Sequence, residues 1–321
     1  MKSTTAPIEG IVLRIVGSST MVDCGPHGVI TCDLRGRLIR KLNQRLAVGD
    51  QVTLSLPGDG RPNTSGERGV IESIAPRRTA LRRARESKRE QIICANVDQV
   101  VVVVAAFDPP YKRSFIDRVL VAAERDGLPA QLLVNKLDLV VEDEHRALLE
   151  QDLEVYRELG YGCHFISARG GEGLEELRAL LAGRLTVITG PSGVGKSTLL
   201  NELLPGIELR TGDIGRHGKG RHVTTTAILL PLPEGGFVVD TPGLRAFAVD
   251  GVTPLELVRL FPDLARYAAM CRFGDCQHRQ EPGCGVTTAV DDDDIDLGRY
   301  ESYVKILEDL VGAPRWRGRE T

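Results

Sequence analysis

A strand, a glycine-rich loop and the start of a helix follow one another at residues 184–204, and few patterns restrict a fold as tightly. The apolar run "RLTVITG" (184–190) leads into "GPSGVGKST" (190–198), and the helix-forming "STLLNELL" runs on until Pro205 stops it. The pattern GxxxxGK[ST] acquires a physical meaning only in this setting, between a buried strand and a helix N-terminus. Gly190, Pro191, Ser192, Gly193, Val194 and Gly195 would form a loop whose backbone N–H groups surround phosphate oxygens, with the positive end of the helix dipole behind them. Lys196 would reach the outermost phosphates, the Ser197 hydroxyl would bind magnesium, and Thr198 would complete the cradle. Such a unit belongs in a parallel sheet whose ligand loops leave the carboxyl ends of the strands.

The surrounding sequence supplies that sheet. "DQVVVVVAAF" (98–107), "AQLLVNK" (130–136) and "GCHFISA" (162–168) are apolar strands, separated by the helix "SFIDRVLVAAERDG" with its terminal glycine and by a helix expected from about 142 to 159. A short helix near 174–183 precedes the phosphate loop. Fully apolar strands alternating with helices predict a sheet covered on both faces. Residues 8–76 read differently: "GIVLRIV", "GVITCDL", "DQVTLSL" and "GVIESI" alternate between polar and apolar positions and are separated by Gly, Asp and Asn, as in a small barrel of the OB type. From 251 onward the pattern is helical, interrupted by a cysteine cluster. With 321 residues, 42% of them hydrophobic, the chain can bury more than one core. The expected organisation is an OB-type RNA-binding barrel over 1–80, an α/β P-loop domain over 81–250 and a helical zinc-binding domain over 251–321.

The nucleotide is read from "VNKLDLV" (134–140). A carboxylate at Asp138 accepts hydrogen bonds from two adjacent ring donors, N1–H and the 2-amino group, which guanine offers and adenine does not. Asn135 can bond the other purine edge or tie this loop to the phosphate loop, and the stem of Lys136 can cover the base plane. "ISA" (166–168) ends the next strand, where Ser167 would support Asp138 and the Ala168 N–H would meet guanine O6. "VVDTPG" (238–243) ends a further strand with Asp240, placed to hold magnesium through water, and Gly243, whose N–H would meet a γ-phosphate. Between the two lies the basic, glycine-rich "GRHGKGRHVTTT" (215–226), which resembles a switch segment; Thr224 or its neighbour Thr225 would complete the magnesium shell. The guanine motif thus precedes the phosphate loop, the reverse of the usual order. Since all ligand loops of a parallel sheet share one edge, the chain can visit them in any cyclic order, so a circularly permuted pocket is expected.

The cysteines and charges add two expectations. Cys271, Cys276, His278 and Cys284 fall within fourteen residues and offer the ligand number and softness for one structural tetrahedral zinc. Cys24, Cys32, Cys94 and Cys163 are scattered and read as buried small side chains. An odd total of seven cysteines and an N-terminus without an apolar signal region place the chain in a reducing cytoplasm, and no apolar run approaches the ~18 residues a bilayer span needs. Net charge is only -3, but residues 33–45 hold five basic side chains against one acidic, and residues 77–90 hold seven against two. Either run is a solvated surface or a footprint for the phosphate backbone of RNA. "DDDDID" (291–296) is expected to open the last helix, whose stripe Tyr303, Ile306, Leu307 and Leu310 is ordinary packing.

In order, NKLD, ISA, GPSGVGKS, "GRHVTTT", DTPG and C-x4-C-x-H-x5-C behind an OB-like barrel resemble the ribosome small-subunit-dependent GTPases, the RsgA/YjeQ type, over essentially the whole chain. The resemblance implies a cytoplasmic GTPase using GTP/GDP with Mg2+ and one Zn2+, acting late in assembly of the small ribosomal subunit, stimulated by that subunit and touching its rRNA. A monomer is expected. Leu244 follows Gly243 where Ras-like enzymes place a water-orienting Gln, and an aliphatic side chain cannot position water. The resemblance offers a first-switch histidine instead, which falls on His222; Val223 separates it from the threonines, where members of the family place Thr directly after His. His222 would orient or deprotonate the attacking water, or else it is a surface histidine. Two functions follow: a GTPase whose hydrolysis releases it from the subunit, or an RNA-binding assembly chaperone in which hydrolysis is incidental. An ATP-dependent kinase or transporter subunit is disfavoured by Asp138.

Overall fold

Alternation in the first 74 residues closes a barrel. The structure, a computed structural model, describes residues 7–34, 46–56, 68–83, 91–205, 227–240, 249 and 251–312. Strands β1 (Ile8–Val16), β2 (Ser19–Asp23), β3 (Val29–Leu34), β4 (Gln51–Ser55) and β5 (Gly69–Ile74) pair in the order β1-β2-β3-β5-β4, and β4 returns to β1. Only β3 and β5 run parallel. Val12, Val22, Ile30, Cys32, Val52, Leu54 and Ile71 point inward and fill the lumen. The register slips once in β1, between Val12 and Arg14, and once between Thr53 and Leu54, the local bends a small closed barrel requires.

A two-stranded ribbon, β6 (Ala80–Arg83) and β7 (Gln91–Ala95), follows the barrel and is seated against it. The Ala95 N–H donates to the Val48 carbonyl at 2.8 Å, and the buried carboxylate of Asp50 accepts from Arg77 at 2.6 and 2.8 Å. Arg78 pairs with Asp98 and Arg82 with Asp126. Part of the basic run at 77–90 therefore makes ion pairs within the fold; residues 84–90 and most of the run at 33–45 lie outside the described residues.

The central sheet adds β8 (Gln99–Ala105), β9 (Ala130–Asn135), β10 (Gly162–Phe165), β11 (Leu185–Thr189), β12 (Ile228–Pro231) and β13 (Phe237–Asp240), in the order β10-β9-β8-β11-β13-β12. All neighbours are parallel except β12 on β13 at the edge. Every residue of β8 is buried, and the reason is visible in its alternation. Val100, Val102 and Val104 meet helix α1 (Arg113–Asp126) through Ile116, Val119 and Leu120, together with Leu149 of α2 (Asp143–Asp152) and Tyr156 of α3 (Glu154–Glu158). Val101, Val103 and Ala105 meet the opposite layer, Leu177 and Leu181 of α4 (Leu174–Leu181) and Leu199 and Leu203 of α5 (Lys196–Leu203). The single helix expected over 142–159 is divided at Leu153, which turns fully inward and frees Asp152 to bind Tyr111 and Arg113.

The C-terminal unit consists of α6 (Pro254–Leu257), α7 (Pro262–Ala268), α8 (Gly285–Asp291) and α9 (Leu297–Gly312). Its core of Leu257, Phe261, Leu264, Tyr303, Ile306 and Leu307 also takes in Val121 of α1, so the unit is seated on the α/β domain. The acidic run does not open the last helix as a block. Asp291 ends α8, and only Asp296 caps α9, its Oδ1 accepting the Arg299 N–H at 2.9 Å.

Arg299 is the centre of the seat. Its guanidinium, about 1% exposed, donates to Asp117 Oδ1 of α1 at 2.5 Å and to both Asp263 oxygens at 2.9 Å, and lies over the rings of Phe261 and Tyr156. The Tyr156 hydroxyl donates to Asp117 at 2.9 Å. Arg299→Ala would leave Asp117 buried without its counter-ion, and the step in which the C-terminal unit unfolds should lose about 3–5 kcal/mol, read from its denaturant midpoint. A loss below about 1 kcal/mol, the size of an exposed pair, would contradict the account.

Candidate nucleotide site and metal centre

The strand order reverses between β8 and β11: β9 and β10 spread to one side, β13 and β12 to the other. In an open parallel sheet the crevice at such a point, beyond the carboxyl ends of the strands, is where ligands bind. The phosphate loop 190–195 leaves β11 there and enters α5. Gly190 packs so closely on β8 that a β-carbon would come within 2.2 Å of the Val103 carbonyl oxygen. Gly195 has φ +92°, which turns the chain into the helix. Val194 is buried in the core below, whereas Ser192 and Gly193 are exposed and Pro191, Ser197 and Thr198 half-buried. The Lys196 ammonium donates to the Gly190 and Pro191 carbonyls at 2.7 and 2.6 Å, folded into the loop it would share with a phosphate.

Asn135 ends the adjacent β9 and ties three loops together. Its side-chain N–H donates to the Val194 carbonyl at 2.9 Å, and its oxygen accepts from the Ala168 N–H at 3.0 Å. Of the two readings open in sequence, the geometry selects the tie between loops. Lys136 follows in the left-handed region at φ +70°, turning Leu137 inward, where its N–H donates to the Ile166 carbonyl. Asp138 is exposed, and its Oδ1 accepts from the buried Ser167 hydroxyl at 2.5 Å; the Ser167 oxygen accepts in turn from the Gly170 N–H at 2.8 Å. Phosphate loop, NKLD and ISA therefore converge as the permuted order requires. Asp240 is the last residue of β13 and lies in register beside Ile188, two residues before Gly190. His222, Thr224, Thr225, Gly243 and Leu244 lie outside the described residues.

A second cluster stands in the C-terminal unit. Ligand atoms of Cys271, Cys276, His278 and Cys284 all lie within 4.8 Å of one another. Cys271 and Cys284 sulfurs are 3.9 Å apart, and His278 Nδ1 is 3.3 and 3.6 Å from them. Zn–S bonds near 2.3 Å and Zn–N bonds near 2.0 Å at a tetrahedral centre place sulfur about 3.8 Å from sulfur and about 3.6 Å from nitrogen. The donor set fits zinc, and the spacing of Cys271, His278 and Cys284 is already close to tetrahedral. Burial pushes the Cys276 thiol up to about 12 and His278 down, the latter keeping its imidazole neutral as a ligand must be. Burial is the largest single influence on Cys284 and raises it, but the hydrogen bonds from Thr287, Cys276 and Val286 together outweigh it and the thiol falls below its ordinary value. Backbone N–H groups of Gly285 and Thr287 point at the Cys271 and Cys284 sulfurs.

The loop carrying these ligands is held by groups invisible in the motif. Glu281 accepts from the N–H groups of Gln277, Arg279 and Gln280, and although burial alone would raise its carboxyl, these bonds bring it to about 2. Tyr300 and Tyr303 of α9 donate to the His278 and Gln277 carbonyls, each at 2.9 Å. One signal for Arg299 was present: it falls one turn before Tyr303 on the apolar stripe of the last helix, where a charge needs a partner. The four scattered cysteines are as expected except that Cys163 is only half-buried. Among the described residues no helix is long and apolar enough to cross a membrane.

Comparison with known proteins gives concordant results. A family model described as RsgA GTPase matches residues 74–250. The chain is 41% identical over 323 residues to the "Small ribosomal subunit biogenesis GTPase RsgA" of Chlorobaculum tepidum, covering 97% of this chain and 100% of that one. It is 41% identical over 313 residues to the protein of the same name from Gemmatimonas aurantiaca, covering 96% and 99%. Among solved structures, YjeQ from Thermotoga maritima superposes with a TM-score of 0.76 at 37% identity, over 96% of this chain and 99% of that one. YloQ, described as a circularly permuted GTPase, gives 0.74 at 26% identity over 97% and 98%.

Ser167→Ala would release Asp138 and remove the acceptor for the Gly170 N–H. Guanine nucleotide affinity should fall by about tenfold, the effect of one hydrogen bond to a charged group, in a fluorescence titration with labelled GDP. An unchanged affinity would mean that Asp138 needs no support from its neighbour.

Proposed function

Because the chain belongs to the RsgA GTPase family, we propose that it hydrolyses GTP during late maturation of the small ribosomal subunit and that this subunit stimulates its turnover. GTP hydrolysis itself follows from family membership, as do a guanine nucleotide and Mg2+ as ligands. The observation that carries the reading is the Asn135 tie, which brings the phosphate loop, the Lys136–Asp138 loop and Ser167–Ala168 to one crevice in a permuted chain. In this reading Asp138 accepts from guanine N1–H and the 2-amino group, the Ala168 N–H is shared between Asn135 Oδ1 and O6, and the stem of Lys136 covers the base. Residues Gly190 to Thr198 hold the phosphates, with Lys196 on the outermost pair. Ser197 and Thr224, with Asp240 through water, would hold magnesium, which would supply charge neutralisation at the phosphates. Gly243 donates its N–H to the γ-phosphate.

Hydrolysis forms a bond between the water oxygen and the γ-phosphorus and breaks the bond from that phosphorus to the β–γ bridging oxygen. His222 orients the water and takes its proton. The Leu244 side chain supplies no polar atom, so the basal rate is slow until a partner brings His222 to the attacking water. The barrel and the C-terminal unit grip rRNA of the subunit, the protein works as a monomer in the cytoplasm, and Cys271, Cys276, His278 and Cys284 hold one structural zinc. That zinc closes a loop remote from the nucleotide loops and serves binding to the subunit.

The decisive measurement is steady-state GTP hydrolysis with and without purified small subunits, with ATP and the large subunit as controls. Stimulation confined to GTP and the small subunit is expected, and His222→Ala should abolish most of it. No stimulation despite GTP-dependent subunit binding would replace this reading with that of an assembly chaperone. Removal of zinc by a chelator should leave GTP binding within about twofold and abolish subunit binding, both read by filtration assays. Loss of both together would make the metal part of the nucleotide domain's fold.

A further inference from the structure

One segment at the strand reversal belongs to no motif. Residues 106–112 leave the carboxyl end of β8 between the phosphate loop and the base loop. The Ala106 N–H donates to the Asn135 carbonyl at 2.7 Å. The Lys136 ammonium donates to the Asp108 carbonyl, and Lys136 Cε lies 3.9 Å from the point where a β-carbon on Gly195 would stand. The ring of Pro109 lies 3.5 Å from the equivalent point on Gly193. The segment thus touches both loops that would hold a nucleotide.

Its far end is clamped from two directions. The Tyr111 hydroxyl donates to the Asp152 carboxylate. Arg113, the first residue of α1, donates from Nη2 to the Asp152 carbonyl at 2.7 Å and from Nη1 to Asp296 Oδ1 at 2.7 Å. Asp152 ends α2 in the α/β domain, whereas Asp296 caps α9 in the C-terminal unit. The guanidinium lies flat against Gly298, where a β-carbon would come to 2.7 Å of Nη1. A charge-assisted pair of this kind, with the arginine side chain only 23% exposed, fixes geometry better than a solvated one.

From this arrangement we propose that Arg113 is a positioning residue for guanine nucleotide binding: held between Asp152 and Asp296, it sets the 106–112 segment against Lys136 and the phosphate loop, so that seating of the C-terminal unit determines nucleotide affinity. The proposal rests on the reading of Lys136 and Asp138 as the base loop. Its route avoids Asp240 and the residues after it. Linkage makes the effect reciprocal, since whatever the seat does for the nucleotide, the nucleotide does for the seat.

The test is fluorescence titration of the full-length protein with N-methylanthraniloyl-GDP, using Arg113→Ala, Arg113→Lys, Asp296→Asn and the Arg113→Ala/Asp296→Asn double variant. Asp296→Asn keeps an oxygen to cap α9 but loses the charge. Arg113→Ala should weaken binding about tenfold, as expected for loss of a charged hydrogen-bond pair, and the lysine variant less. Asp296→Asn should weaken it severalfold, and the double variant should be no weaker than Arg113→Ala, because both act on one path. KM for GTP should rise while kcat at saturation stays within about twofold. Arg118→Ala, which cuts the Arg118–Asp309 pair at the same interface, should leave affinity at the wild-type value. Wild-type affinity in Arg113→Ala would overturn the proposal, as would an equal loss in Arg118→Ala or no effect of Asp296→Asn. Should Arg113→Ala fail to fold by circular dichroism, the lysine and Asp296→Asn variants decide by the same criteria. If the wild-type protein failed to prefer labelled GDP over labelled ADP, the base-loop reading itself would be at fault, which is a separate outcome.

Discussion

Parallel pairing of β8 with β11 is the constraint from which the rest of the molecule is built. Its register, from Gln99 opposite Thr186 to Val102 opposite Thr189, places the carboxyl ends of both strands at the one point in the sheet where the strand order reverses. The two strands are buried on both faces, so the pairing cannot slip by a residue without turning valines of one layer into the other. Gly190 can leave β11 only by passing within contact of the Val103 carbonyl. The phosphate loop on one side of β8 and the ends of β9 and β10 on the other then meet across the end of β8, whatever the order in which the chain produces them. This is why permutation is tolerated: lateral hydrogen bonding assembles the crevice, and chain order decides only what each strand is connected to next.

What those connections change is mechanical. In this order the strand ending at Asp240 is followed by the C-terminal unit, whose first helix begins at Pro254. The unit rests on α1, through Val121 in a shared core and through Asp117, Arg299 and Asp263 in a buried ionic cluster. An apolar contact of the same area would tolerate sliding. A guanidinium that must satisfy two carboxylates from different elements admits one orientation, and its desolvation cost means that it contributes geometry more than free energy. The barrel is joined in the same manner at the other end, where buried Asp50 captures Arg77 and the ribbon of β6 and β7 continues the contact through Val48 and Ala95.

Much of this was legible in the sequence wherever a local pattern has a single physical solution. Four barrel strands, the five apolar strands, the phosphate loop and the Cys/His cluster each require nothing beyond neighbouring residues, whereas the short β2 (Ser19–Asp23) was not read as a strand. Asn135 was harder, because an amide side chain offers several bonds and only the fold chooses between a base edge and the Val194 carbonyl. The break at Leu153 was hidden because helix periodicity continues across it; the cause is a tertiary demand on Asp152 from Tyr111 and Arg113, about forty residues upstream. Pairings such as Arg299 with Asp117, 182 positions apart, leave no local trace except a charge on an apolar stripe. Composition left the basic run at 77–90 open between solvated surface and phosphate footprint, and it gave no sign that three of its arginines pair with carboxylates within the fold.

Helix α9 gathers these demands on consecutive turns. Asp296 at its cap binds Arg113, Arg299 one turn on binds Asp117 and Asp263, and Tyr300 and Tyr303 hold the carbonyls of Gln277 and His278 in the loop of the Cys/His cluster. One helix thus carries both the tyrosines that hold the metal loop and the groups that hold the α1 seat. Glu281 braces that loop from within by capturing three backbone N–H groups, which leaves His278 in a left-handed conformation with Nδ1 facing the sulfurs. The four ligands are therefore fixed relative to α9 by hydrogen bonds that do not involve a metal, and α9 is fixed relative to α1 by charges that do not involve a nucleotide. Each site is preorganised by the fold, so the contacts that seat α9 on α1 do not depend on a metal in the loop.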